Sequence, residues 1–114
     1  MESLQMTELL FSPAALRKLD SIHDYIYHTL QSPQAAATRI AQILKDLDIL
    51  KANPDIGPRL SSRIVTTPER FSETRFLVCG NYIAVYEHKG STVQILAIYH
   101  GHEDVFGRFL NEID

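Results

Sequence analysis

Two Ser-Pro pairs, at positions 12–13 and 32–33, each precede a run in which apolar residues recur every three or four positions. A serine side chain can cap a helix N-terminus and proline fits the first helical turn, so each pair predicts a helix start. The first apolar stripe extends from Pro13 to Leu30, and the second ends at the Asn-Pro pair 53–54. Because the break between them is only one or two residues long, we expect an antiparallel helical hairpin.

The period changes to two in the second half of the chain, where β-branched and aromatic residues predominate. Segments 74–79, 82–88 and 92–100 alternate in this way and are separated by Gly-Asn and Lys-Gly-Ser turns. This pattern predicts a three-stranded antiparallel meander. The last of these strands is apolar on both faces, so we expect it to be central and covered on each side. A short strand at 9–11 could complete one edge of the sheet.

Two further segments complete the predicted domain. Residues 55–72 contain glycine, prolines and paired serines and threonines without a sustained period, so we interpret them as a long loop with a functional or partner-ordered role. Residues 103–113 place apolar side chains on one helical face, which Gly107 weakens, and Glu103 or Asp104 would favour the N-terminus of that helix. The predicted order is β-α-α-β-β-β-α. It describes one α+β domain over residues 1–114, with the helical hairpin packed on a small curved, mainly antiparallel sheet.

Charge and cysteine content limit the possible partners and the compartment. The formal net charge is −3, which disfavours a protein that binds nucleic acid by neutralising phosphates. The exception is segment 59–75, where four arginines stand among only two glutamates. The single cysteine, Cys79, cannot form an intramolecular disulfide, and no apolar run is long enough to cross a bilayer. We therefore expect a cytoplasmic protein without membrane contact.

The pattern His-x-His-x-Asp at positions 100–104 is the most conspicuous candidate for chemistry. A closed metal site needs three or four ligands, and the other histidines lie on a helix and a distant turn, so we expect no metal. His100 and His102 could instead act as general acid or base, or could only bond to neighbouring backbone. Cys79 is interpreted as a buried free thiol. No glycine-rich phosphate loop is present, and no cofactor is expected.

Three stretches resemble a known family in their order and spacing. They are Phe-Ser-Pro-Ala-Ala at 11–15 with the stripe to position 26, the Leu-x-x-x-Pro-x-x-Gly pattern at 50–57, and the strand segments 75–77, 82–86 and 95–101. Together they resemble the RelE/ParE superfamily of toxins from toxin–antitoxin systems. The resemblance implies a bacterial or archaeal protein that arrests growth when free and is neutralised by a cognate antitoxin.

The two branches of that superfamily imply different targets. RelE-like members cleave mRNA on the ribosome with a cluster of Lys and Arg, whereas ParE-like members lack the cluster and poison DNA gyrase. Ile83 stands where RelE-like nucleases carry an arginine, and Arg75 is the only cation on the strands near that face. The resemblance therefore favours the ParE-like branch and gyrase. The alternative is a ribosome-dependent ribonuclease that uses Arg75, His100 and His102, and a third possibility is a non-toxic binding module.

Two sets of residues follow as candidate contacts. The target-binding set consists of the arginines of the positively charged stretch: Arg59, Arg63, Arg70 and Arg75. The antitoxin-binding set consists of aromatic residues that are expected either to be exposed for the antitoxin or to belong to the core: Tyr25, Tyr27, Phe106 and Phe109.

Overall fold

The computed structural model describes residues 7–101 and 103–112 and shows a four-stranded sheet with helices packed on it. The strands are β1 (Glu8–Phe11), β2 (Arg75–Cys79), β3 (Tyr82–Lys89) and β4 (Thr92–His100). The helices are α1 (Pro13–Leu30), α2 (Pro33–Leu47), α3 (Ile49–Ala52) and α4 (Val105–Glu112). The predicted α+β class and element order are confirmed, with α3 as an addition. None of the helices in the described ranges is both long enough and apolar enough to cross a bilayer.

Both Ser-Pro pairs start helices as the sequence predicts. The Ser12 hydroxyl oxygen accepts a hydrogen bond from the Ala15 amide at 3.0 Å, and Ser32 accepts one from Ala35 at the same distance. Helix α1 ends where Gln31 adopts the left-handed conformation, with φ at 51°. These caps define the hairpin, whose buried stripes face the sheet.

The second helix is interrupted where a continuous helix was predicted. The Asp48 amide donates to the carbonyls of both Leu44 and Lys45, at 3.0 and 3.2 Å, and α2 gives way to the short helix α3. Leu50 in α3 is fully buried, so the apolar stripe continues across the break. The prediction was thus correct about the buried face and wrong about helical continuity.

Strand β4 lies in the middle of the sheet, whose order is β1-β4-β3-β2. It pairs parallel with β1 and antiparallel with β3, and the β3–β4 register shifts at 85–86. Val93 and Ile95 pack under the helical hairpin, whereas Ala97 and Tyr99 face the opposite side. The predicted central strand covered on both faces is confirmed, as is the edge position of the N-terminal strand.

The face of the sheet opposite the hairpin carries a second apolar cluster. Leu60, Phe71 and Phe109 contribute buried side chains to it from outside the sheet. Leu60 and Phe71 come from segment 55–72, which forms short 3₁₀ turns at 60–62 and 69–71. The predicted long loop is thus present apart from these two turns, and it also forms a wall of the second core.

Helix α4 begins two residues later than predicted, and residue 113 lies outside the described ranges. The Asp104 carboxylate accepts a hydrogen bond from the Gly107 amide at 3.4 Å, as expected of a helix-capping residue. A side chain at Gly107 would collide with that carboxylate. The glycine therefore permits the cap rather than simply weakening the helix.

Candidate functional site

Arg75 projects from the start of β2 toward segment 55–57. Its guanidinium Nη1 donates to the carbonyl oxygens of Asp55 and Gly57 at 3.0 and 2.7 Å, and its Nε lies 3.6 Å from the Asp55 carboxylate. The side chain is only 18% exposed. Arg75 therefore lies close to a carboxylate and binds two backbone carbonyls. Through these contacts the guanidinium of Arg75 holds segment 55–57 in place.

The other three arginines of the predicted target-binding set are exposed. Arg59 pairs with Glu73 at 3.2 Å. The guanidinium of Arg63 lies 5.8 Å from the centre of the Phe76 ring, and that of Arg70 lies 4.8 Å from the centre of the Phe71 ring. Phe71 and Phe76 belong to the second apolar cluster, so Arg63 and Arg70 form a cationic surface over it.

A groove of about 440 Å³ lies between the C-terminal half of α1, the start of α2 and the adjacent end of the sheet. Its apolar lining comes from Ile22, Tyr25, Ile26, Leu30 and Tyr82, and its basic lining from Lys18, Arg39 and His100. Tyr25 and Leu30 are 71% and 62% exposed. Within the described part of the chain no carboxylate lines the groove, although Lys18 lies 3.6 Å from the Glu103 carboxylate nearby.

The four aromatic residues of the predicted antitoxin-binding set occupy different environments. Tyr25 lines the groove, whereas Tyr27 lies on the outer side of α1 between His23 and His28. Phe106 is half-buried against Phe76, with ring centres 5.0 Å apart. Phe109 is fully buried and packs on Phe71, with ring centres also 5.0 Å apart. Of the two alternatives expected for Phe109, the structure supports the core, because its side chain is buried in the second apolar cluster.

The residues proposed for a ribonuclease do not converge where the structure describes them. Arg75 pairs across the sheet with Tyr86, and His100 pairs with Tyr82. Four residues along β3 separate these pairs by roughly 13 Å. The His100 ring lies edge-on against Tyr82 with centres 5.3 Å apart, and His102 lies outside the described residues.

Other reactive groups are engaged in packing. Burial raises the pKa of the Cys79 thiol to about 12, so the thiolate is scarce at neutral pH, in agreement with a buried free cysteine. The side chains of Tyr82, Tyr86 and Tyr99 are buried in the two apolar clusters. In residues 7–101 and 103–112 no group of three potential metal ligands is found.

A polar network around Asp55 was not predicted from the sequence. His88 Nδ1 lies 2.9 Å from the Asp55 carboxylate, and the Gly57 amide donates to the Tyr86 hydroxyl at 2.9 Å. The hydrogen bond from His88 holds the pKa of Asp55 below its usual value, and the charge of Arg75 acts in the same direction. No local sequence pattern predicts this network, because Asp55 and His88 are 33 positions apart.

Comparisons with known proteins agree with this architecture. A profile described as "ParE toxin of type II toxin-antitoxin system, parDE" matches residues 9–105. A solved structure titled "Chromosomal ParDE TA system from P. aeruginosa" shares the fold, with a TM-score of 0.65. The two chains are 24% identical, and the match covers 83% of this chain and 96% of that one. No curated protein sequence matches the chain.

The helical hairpin packed on a four-stranded sheet is the fold that this chain shares with that solved structure. Because the profile spans most of the chain, this protein belongs to the ParE toxin family of type II toxin–antitoxin systems.

Proposed function

We propose that this chain is a growth-inhibiting toxin that acts on DNA gyrase in the cytoplasm and is neutralised by a cognate protein antitoxin. The main support beyond family membership is the state of Arg75. Its guanidinium contacts two backbone carbonyls and Asp55, and the backbone positions of Arg75 and His100 are offset by roughly 13 Å along the strands. Cleavage of RNA needs an acid, a base and a cation around one phosphate, and these groups are too far apart to supply them together.

The second face of the sheet also favours a binding function over a nuclease. Phe71, Phe76 and Phe109 fill it with a packed apolar cluster, with Arg63 and Arg70 above the rings. Such a surface can contact an acidic region of a protein partner. We propose that Arg59, Arg63 and Arg70 contact the target and that Arg75 supports the segment beneath them.

A supercoiling assay tests the target. Purified toxin should inhibit gyrase-driven supercoiling of relaxed plasmid in proportion to its concentration. Arg63→Ala combined with Arg70→Ala should raise the inhibitory concentration about tenfold or more. Arg17→Ala, at an exposed arginine on α1, is the matched control and should not change it. Unchanged supercoiling at saturating toxin would exclude gyrase, and new ends in ribosome-bound mRNA after toxin induction would indicate the ribonuclease instead.

The groove beside α1 is the surface proposed for the antitoxin. It combines exposed Tyr25 and Leu30 with the basic groups of Lys18, Arg39 and His100, so it suits an apolar segment that also carries carboxylates. Tyr25→Ala should weaken binding of the protein encoded beside the toxin gene by roughly tenfold or more, because buried aromatic contacts dominate such interfaces.

Tyr27→Ala is the comparison variant for that measurement, because Tyr27 is on α1 but outside the groove. It should bind the antitoxin as the parent chain does. Equal weakening by both variants would move the interface to the outer side of α1. Antitoxin binding together with harmless overexpression would favour the non-toxic binding module.

A further inference from the structure

His88 stands between two groups that can only accept hydrogen bonds. Its Nδ1 lies 2.9 Å from the Asp55 carboxylate oxygen, and its Nε2 lies 3.0 Å from the Gly90 carbonyl oxygen. A neutral imidazole has one N–H and can satisfy only one of these acceptors, whereas the imidazolium donates from both nitrogens. The two contacts are therefore compatible with each other only when the His88 ring is charged.

This ring fastens a segment that covers the outer edge of the sheet. Residues 55–60 run beside β2, where the Phe76 amide donates to the Pro58 carbonyl at 3.0 Å and the Leu60 amide donates to the Thr74 carbonyl at 2.8 Å. Two side chains also hold the segment. His88 contacts the Asp55 carboxylate, and Arg75 donates to the carbonyls of Asp55 and Gly57. Without the segment, these β2 backbone groups would be unpaired at an edge strand.

The charged groups around the pair come from several elements. Asp55 lies on segment 55–60 and faces three basic side chains: His88 on β3, Arg75 on β2 and Arg59 on the segment itself. The Tyr86 hydroxyl, also on β3, accepts from the Gly57 amide and is the neighbouring titratable group. Glu87 and Lys89 pair with each other at 3.5 Å, and the neighbouring Thr74 hydroxyl points to Glu87. Asp55 keeps its negative charge near neutral pH, because the hydrogen bond from His88 holds the pKa of its carboxyl below the usual value.

We propose that His88 is a protonation-controlled latch that fastens segment 55–60 over the outer edge of β2 when its ring is charged. When the ring is neutral, it donates either to Gly90 or to Asp55, and even the bond to Asp55 then lacks the positive charge that strengthens it. The segment then opens more often, which exposes the Thr74 carbonyl and the Phe76 amide.

Amide exchange measured by NMR at pH 5.5 and 8.5 tests the latch, with rates corrected for the intrinsic effect of pH. The amides of Gly57, Leu60 and Phe76 should be protected about five- to tenfold more at pH 5.5 than at pH 8.5. The nitrogen shifts of the His88 ring should show imidazolium at pH 5.5 and one neutral tautomer at pH 8.5. Equal protection at both pH values in the parent chain would overturn the proposal.

Two variants separate the latch from general effects of pH. Asp55→Asn introduces an amide that can donate to Nδ1 of a neutral ring while Nε2–H still donates to Gly90, so protection should be the same at both pH values. His88→Gln should also remove the pH dependence, with the lower protection throughout. His23→Gln is the matched control, because that histidine lies 3.6 Å from Asp24 on α1 and holds no segment. A pH dependence of amide protection that persists in His88→Gln, or that disappears in His23→Gln, would contradict the proposal.

Discussion

Replacing Phe109 with alanine tests whether the C-terminal helix is part of the core. Phe109 has no exposed surface, and its ring packs on Phe71 with 5.0 Å between centres. Truncating a buried phenylalanine removes apolar burial and leaves a cavity, which costs about 3–5 kcal/mol. A domain of this size has a total stability of about 5–15 kcal/mol, so the variant should lose a large fraction of it.

Thermal unfolding followed by circular dichroism measures this loss. The cost corresponds to a fall in Tm of roughly 10–20 °C for a chain of about 114 residues. Tyr25→Ala is the matched control, because its 71% exposed ring should contribute less than about 0.5 kcal/mol to stability. A Phe109→Ala protein that unfolds within about 2 °C of the parent would refute the packing described here.

Four further predictions follow from other contacts. Arg75→Ala should lower the free energy of unfolding by about 1–3 kcal/mol in urea titrations because it leaves two carbonyls unpaired, whereas exposed Arg63→Ala should change it by less than about 0.5 kcal/mol. Ser12→Ala should cost about 1–2 kcal/mol in the same assay, because the hydroxyl both caps α1 and donates to the Leu96 carbonyl at 2.7 Å. Cys79 should react with a thiol reagent at pH 8 only at the rate of unfolding, and rapid labelling of the native protein would contradict its burial. The pKa of Asp55 is lower in the folded chain, so its contribution to stability is present above the unfolded pKa and is lost as pH falls through the folded value. Urea titrations at pH 2–4 should therefore show that acid lowers the free energy of unfolding less for Asp55→Asn than for the parent.

The candidate site could be predicted only in part. Tyr25 and Phe109 both occur in amphipathic helices, and periodicity assigns each to a helix without telling which surface receives a covering layer. The structure exposes Tyr25 beside a groove. It buries Phe109, because the 3₁₀ turns of segment 55–72 cover the second face of the sheet. The positive stretch was similarly visible as a cluster in sequence, yet the Arg75 guanidinium contacts Asp55 and Gly57 and is mostly buried.

The amino-acid sequence by itself determined the local elements of this protein. The two Ser-Pro pairs specify helix starts through contacts within three residues, and the period of two specifies the strands. Apolar residues on both faces of β4 indicate its central position. Tertiary structure alone decided what covers the second face, which arginines are exposed and that Asp55 contacts His88. The physical reason is that these outcomes depend on contacts between residues tens of positions apart, whose geometry exists only after the sheet and its covering segments have packed together.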